Sequence, residues 1–239
     1  MFNGLFSRKI KVYKHIFFDL DRTLWDFDQN MTDALRDIFF DFNLDSVFPD
    51  INTFIATFTK NNDYLWEKYR LGELKKDILR FKRFDMTLRD YGVNEPLIAK
   101  KIGDEYIRIT PLKTALVPNA REVLEYLKPK YKLHIITNGF DEVQFPKLQK
   151  CHIAEYFDKV VTSETSGYHK PCPEAFGYAL SSVNARKEES VMVGDDLEID
   201  IAGAKKFGMD QIFFNRHSLA HKIKATHEIL NLLEIKKIL

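Results

Sequence analysis

The sequence predicts an α/β protein, a doubly wound parallel-sheet core with an all-helical domain inserted after its first strand. Three observations predict it. From about residue 111 onward, short and near-continuously apolar runs alternate with stretches of helical spacing, as in a parallel sheet covered by helices on both faces. Residues 28–110, by contrast, show helical spacing and few β-rich runs. Carboxylate, hydroxyl and lysine side chains also fall at or just after the carboxyl ends of the strand candidates, where open parallel sheets bind ligands.

Taken in order, residues 1–9 form a loose N-terminal extension. Their apolar residues are interrupted by Asn, Gly, Ser, Arg and Lys, so they lack the continuous apolar region of a signal peptide. The first strand is expected in "KHIFFDL" (14–20). Helical spacing follows in "MTDALRDIFFDF" (31–42), "INTFIATFTKNNDYLWEKYRLGEL" (51–74) and "KKDILRFKRFDMTLRDYG" (75–92). Pro118 and Asn119 precede a periodic run through Leu127, and "KLHIIT" (132–137) and "KVVTS" (159–163) read as the next two strands. Pro173 and Glu174 open a helix in "EAFGYALSS", and "SVMVGD" (190–195) is the fourth strand. Gly208 closes the helix of "IAGAKKFG" before the fifth strand, "QIFF" (211–214). The last run, "HKIKATHEILNLLEIKKIL" (221–239), reads as a terminal helix packed on the core, with Leu and Ile on one face and lysines on the other. The core domain is therefore discontinuous, 10–27 plus 111–239, with 28–110 inserted.

Composition narrows the function. Among 239 residues, Lys plus Arg at 36 nearly balance Asp plus Glu at 35, so no overall field draws the chain to a nucleic acid polymer or a membrane, and anion binding must be local. No stretch is apolar for long enough to cross a bilayer. The two cysteines, Cys151 and Cys172, form no CxxC and read as reduced thiols of a cytoplasmic protein.

The chemistry is sought at the strand ends. Asp19 and Asp21 sit at i and i+2 of an extended run, so both carboxylates are expected to face one point, and Asp195 adds a third acid. Three converging acids need a cation between them, and all-oxygen ligation suggests Mg²⁺. Thr137 offers a hydroxyl, Asn138 and Gly139 offer turn amides, and Lys170 offers a compact charge, together a cradle for a phosphoryl group. A carboxylate beside a phosphoryl group can attack it, and a second can protonate the leaving oxygen and later deprotonate water. Singly, each element has a plainer reading: an Asp at a strand end is often a helix cap or turn former, and "TNG" is a good turn. The weight lies in the set, which falls in order at successive strand ends.

That set resembles the haloacid dehalogenase superfamily of hydrolases, with its Rossmann-like core, over nearly the whole chain. Asp19, Asp21 and Thr23 match its first motif, Thr137 its second, Lys170 its third, and Asp195 with Asp196 and Asp200 its fourth. The resemblance implies that Asp19 is nucleophile and metal ligand. Asp21 is then the acid/base and gives its backbone carbonyl to the metal, Thr137 and Lys170 bind phosphate, and Asp195 is the remaining Mg²⁺ ligand. It leaves Asp196 and Asp200 as acids beside the metal with roles open, and implies that 28–110 is an α-helical cap closing over small substrates. Asp21 favours phosphoryl transfer over dehalogenation, because halide leaves without a proton. Arg22, between the functional side chains, is expected to point away from them, and His169 to be a surface loop histidine.

"DRTLWDFDQN", "LWEKYRLGEL" and "ITNGFDEVQFPKL" further resemble the nucleotidases that act on pyrimidine nucleoside monophosphates. Trp66, Tyr69 and Arg70, on one helical face, could stack on a base and meet its polar edge, or Trp66 could simply pack in the cap. The expected partner is a small phosphorylated metabolite, a nucleotide above all, bound by a monomer or homodimer. A sugar or metabolite phosphatase, a phosphomutase, and a catalytically silent binding protein of the same fold are the rivals. Absent HExxH, EF-hand, GxGxxG and GxxxxGK[ST] patterns argue against a zinc hydrolase, a calcium loop, a Rossmann dinucleotide fingerprint and a P-loop.

Overall fold

The computed structural model describes residues 12–239, so the extension expected over 1–9 and the first residues of the core lie outside it. Six parallel strands form one sheet: β1 (His15–Phe18), β2 (Lys132–Ile136), β3 (Lys159–Val161), β4 (Ser190–Gly194), β5 (Asp210–Phe214) and β6 (His227–Ile229). Their order is β3-β2-β1-β4-β5-β6. The chain winds outward from β1 through β2 to β3, then returns to place β4 on the other side of β1. The carboxyl ends of β1 and β4 therefore flank the point where the winding reverses, the place where such sheets hold ligands.

The first five strands are apolar because both sheet faces are covered. Ile16, Phe18, Leu133, Ile135, Val191 and Val193 pack on one side, and Phe17, Ile136 and Met192 on the other. The first side receives α5 (Ala120–Leu127) and Leu148 of α6 (Asp141–Lys150), and the second receives α8 (Pro173–Ser182) and α9 (Gly203–Phe207). A single-turn helix, α7 (Ser163–Ser166), follows β3.

The terminal helix expected over 221–239 is not formed. Residues 227–229 pair with Ile212, Phe213 and Phe214 of β5 and complete the sheet edge, and a 3₁₀ helix follows over Leu232–Lys237. Asn231 caps that helix by accepting from the Leu233 amide at 2.9 Å, while Glu234 Oε1 accepts from the Asn231 amide at 2.9 Å. Ile229, Leu232 and Ile235 are all buried. Apolar residues three apart fit a strand followed by a 3₁₀ turn as well as an α-helix, and the Asn-x-x-Glu cap breaks the run where periodicity alone continues it.

Between β1 and β2 lie α1 (Phe27–Asp41), α2 (Ile51–Arg70), α3 (Lys76–Arg89) and α4 (Pro96–Ile109), around a buried cluster that includes Leu35, Phe54, Phe58, Phe84, Ile102 and Tyr106. Helix α4, which opens with Pro96 in its first turn, was not singled out by the helical spacing read from the sequence. The two chain crossings between these helices and the sheet run side by side. Trp25 bridges Leu116, the Asp26 amide donates to the Ala115 carbonyl at 3.0 Å, and Asn30 exchanges two hydrogen bonds with the Ala115 backbone.

At the amino end of the sheet His134 is fully buried, its Nε2 3.0 Å from His15 Nδ1 and its ring against Phe17. Burial, with His15 adding to it, pushes its pKa down from 6.5 to about 4. The folded value is depressed, so the stability linked to His134 is present above pH 6.5 and is lost as pH falls toward 4. Urea unfolding should show wild type losing on the order of 3 kcal/mol more than His134→Leu between pH 7 and pH 4. Parallel pH curves for the two proteins would exclude this.

Candidate active site

The ladder of β1 runs one residue past its end, because the Asp19 amide donates to the Val193 carbonyl at 2.9 Å. The chain then turns hard. The Leu20 carbonyl accepts from both Leu24 and Trp25 amides, and Arg22 takes a positive φ of 65°. Thr23, inside this turn, donates its hydroxyl to Asp195 Oδ1 at 2.9 Å. Across from it β4 ends in Gly194, and Asp196 caps a π-helical turn (Leu197–Ala202) that leads into α9. That turn folds Asp200 back beneath Gly194, where a Cβ on residue 194 would overlap its carboxylate.

The result is a cluster in which Asp19, Asp195 and Asp200 each offer a carboxylate oxygen within 4.8 Å of the others. Lys170 Nζ reaches into it and donates to Asp19 Oδ1 and Asp200 Oδ1, both at 2.6 Å. The Asn138 side chain fixes the backbone beneath that lysine, accepting from the Lys170 amide at 2.7 Å and donating to the Lys170 carbonyl at 2.9 Å. Thr137 Oγ1 accepts from the Gly139 amide and from Gln144 Nε2, both at 3.1 Å. Its own proton goes to none of the described residues, which leaves the hydroxyl able to donate to a ligand.

Two expectations about side-chain direction are corrected. The Asp21 carboxylate does not join Asp19 and Asp195, and Asp200 is the third acid. The i, i+2 rule holds for extended chain, but the turn at Leu20 ends the extension and swings Asp21 toward α6, onto Gln144 and Lys147. Arg22 does not point away. Its left-handed backbone directs it into the same cavity, over the Phe27 ring at 4.4 Å and onto Asp28 at 2.9 Å.

That cavity, of about 390 Å³, contains Asp19, Asp21, Thr137, Asn138, Lys170, Asp195, Asp196 and Asp200 in its walls. The helices contribute Phe27, Asn62, Asp63, Trp66 and Arg70. Of the three residues picked out on α2, Trp66 and Arg70 line it and Tyr69 does not, packing instead against Phe140 and His169. Trp66 also stacks on Phe140 at 5.3 Å, so it packs and lines at once. His169, expected on a surface loop, is half-buried against Tyr69. Sequence reasoning missed Asn62 and Asp63, whose signal is their place one turn before Trp66 on the same helical arc. It also missed Gln144 and Lys147, polar residues three apart on a helix that packs on the core.

The chain matches the family model of haloacid dehalogenase-like hydrolases over residues 13–208. It belongs to that family. The crystal structure of the HAD-hydrolase YfnB from Bacillus subtilis, bound to magnesium, superposes with a TM-score of 0.87 at 29% identity, covering 95% of this chain and 99% of that one. The pyrimidine 5'-nucleotidase YjjG of Escherichia coli is 30% identical over 227 residues, 94% of this chain and 96% of the relative. The glyceraldehyde 3-phosphate phosphatase of Pyrococcus furiosus is 32% identical over 219 residues, 87% and 81% of the two chains. This haloacid dehalogenase-like hydrolase is an enzyme of the phosphatase kind, and no helix among its described residues is long and apolar enough to cross a membrane.

The electrostatics of the hydrolase site are dominated by burial. It drives the Asp19 carboxyl well above its usual range, against the pull of Lys170 and with the help of Asp200 and Asp195. It raises Asp200 as well, and pushes Asp195 up to about 7 with Asp200 adding repulsion. Burial alone pulls the Lys170 pKa down, but Asp19 and Asp200 more than reverse that and hold it as an ammonium. Three acids around one lysine leave the cluster short of positive charge. Its donors are all carboxylate oxygens, and Thr23 and Lys170 occupy only one oxygen each on Asp195 and Asp19, while Asp200 takes Lys170 on one oxygen and the Asp196 amide, at 3.2 Å, on the other, a set that fits a small hard cation such as Mg²⁺ held by Asp19 and Asp195.

Proposed function

We propose that this hydrolase is a Mg²⁺-dependent phosphatase that passes the phosphoryl group of a small monoester to Asp19 and then to water, with pyrimidine nucleoside 5'-monophosphates as the favoured substrates. In this reading residues 28–110 are a cap domain over the discontinuous core 10–27 plus 111–239. The observation that carries it is the buried Asp19 carboxylate at the switch point of the sheet, touching Lys170 and facing the cavity that Thr137 lines.

Asp19, Asp195 and the Asp21 carbonyl would hold the cation, with Asp200 beside them. When bound, Mg²⁺ offsets the charge of these acids and of the phosphoryl oxygens. The chain's own groups do the rest. Lys170 and Thr137 seat the phosphoryl oxygens, and Asn138 keeps the lysine in place. An Asp19 oxygen bonds to phosphorus as the bond to the leaving oxygen breaks, and Asp21 gives that oxygen its proton. Asp21 then takes a proton from water, whose oxygen bonds to phosphorus and releases Asp19 and inorganic phosphate.

Trp66 and Phe27 offer aromatic faces and Asn62, Asp63 and Arg70 offer donors and acceptors, which suits a flat base with a polar edge better than a sugar. The pyrimidine 5'-nucleotidase relative supports the same choice. Cys151 and Cys172 are free thiols, in keeping with a cytoplasmic enzyme.

The test is phosphate release from nucleoside monophosphates, triose and hexose phosphates and p-nitrophenyl phosphate, with Mg²⁺ and with a chelator. Pyrimidine monophosphates should lead and the chelator should silence all activity. Trp66→Ala and Arg70→Ala should each raise KM for the nucleotide roughly tenfold and leave kcat for the aryl ester within about threefold. Triose phosphate ahead of every nucleotide would replace the substrate assignment, and turnover only with an added bisphosphate would make the enzyme a mutase.

A further inference from the structure

Helix α6 begins just past the Thr137–Gly139 turn and carries two side chains that the proposed reaction does not use. Gln144 and Lys147 are 1% and 2% exposed, and both end on the Asp21 carboxylate. Gln144 Nε2 donates to Asp21 Oδ2 at 2.8 Å, and Lys147 Nζ to Oδ1 at 2.6 Å. Gln144 Nε2 also reaches Thr137 Oγ1 at 3.1 Å. Lys147 Nζ lies 3.9 Å from the centre of the Trp25 ring, which holds the ammonium from another side. Gly139 makes room for the arrangement, since a Cβ there would overlap Gln144 Nε2. Among the described residues Asp21 is the one carboxylate paired with Lys147. A lysine buried this fully is costly unless paired, so its charge is committed to Asp21.

We infer that Gln144 and Lys147 are positioning residues for Asp21, and that Gln144 also sets its distance from the phosphate-binding hydroxyl of Thr137. The inference rests on Asp21 being the acid and base of the reaction proposed above. A carboxyl group with one donor on each oxygen is confined to one orientation before substrate arrives, so the leaving oxygen, and later the attacking water, meets it without a search among rotamers. Neither Gln144 nor Lys147 gains or loses a proton or a bond in the cycle. Their effect passes through Asp21.

The proton from Asp21 matters when the leaving group is an alkoxide and matters little when it is a phenolate. Comparing kcat/KM for uridine 5'-monophosphate and p-nitrophenyl phosphate therefore isolates the positioning role. Lys147→Met and Gln144→Met should each lower the nucleotide value by about tenfold or more and the aryl value by less than about threefold, a weaker copy of the pattern of Asp21→Asn. Equal losses on both substrates, or none on either, overturn the inference and leave the two residues as packing for Trp25 and the turn. Should Lys147→Met fail to fold, Lys147→Arg, which keeps the charge and displaces it, must show the same substrate-selective loss, and its absence counts equally against positioning. If Asp21→Asn leaves both substrates untouched, the proposed reaction itself is wrong and the inference goes with it.

Discussion

Asp19→Asn should lower phosphate release by about 10⁴-fold or more while the protein folds at least as firmly as wild type. The amide cannot form the acyl phosphate, so turnover is lost at its first bond. Stability moves the other way because Asp19 is a buried acid whose ionisation is opposed first by burial and then by Asp200 and Asp195. An asparagine keeps its size, can still accept from Lys170, and removes one of three crowded negative charges. Melting curves of the metal-free proteins beside a phosphate-release assay provide the check. A variant that keeps more than about 1% of wild-type turnover would remove Asp19 as nucleophile.

Lys170→Met should do the opposite to stability. The lysine side chain is 2% exposed and is the cation in contact with both Asp19 and Asp200. Removing it leaves those acids buried without a cation, a loss of about 3–5 kcal/mol, with activity down by roughly 10²-fold or more. The folded pKa values of Asp19, Asp195 and Asp200 already stand above their unfolded ones. Their protonated forms therefore favour the fold at low pH, and that stability is lost as pH rises, for Asp195 through about 7. The deficit of Lys170→Met should accordingly be larger at pH 8 than at pH 5, and Lys170→Met/Asp200→Asn should recover part of it. Urea midpoints at the two pH values read both effects. A deficit that shrinks on going to pH 8 would mean that the acids are neutralised by something other than Lys170.

Five strands were readable because a parallel strand covered on both faces leaves an unbroken apolar run, and the elements at their carboxyl ends were readable because parallel strands bring all those ends to one edge of the sheet. What escaped the sequence depends on local backbone departures that residue type encodes weakly. Asp200 enters the acid cluster through a π-helical turn, and Asp21 leaves it because the chain stops being extended at Leu20. Strand β6 is three residues long and gains its identity from the free edge of β5, not from its own composition. Gln144 and Lys147 were not singled out, since nothing in their types tells that α6 turns them onto Asp21.

The side-by-side crossings at Trp25–Leu116 and Asn30–Ala115 make the helical segment a graft and not a link in the sheet. Strands β1 and β2 pair directly although the whole segment intervenes in the chain, so no part of the ladder is threaded through it. One helical segment can replace another at that seam without altering the register of β1 against β2 and β4, and the seat of Asp19 is preserved. In the proposed cap reading, the choice of molecule can thereby change in one part of the chain while the chemistry stays in the other.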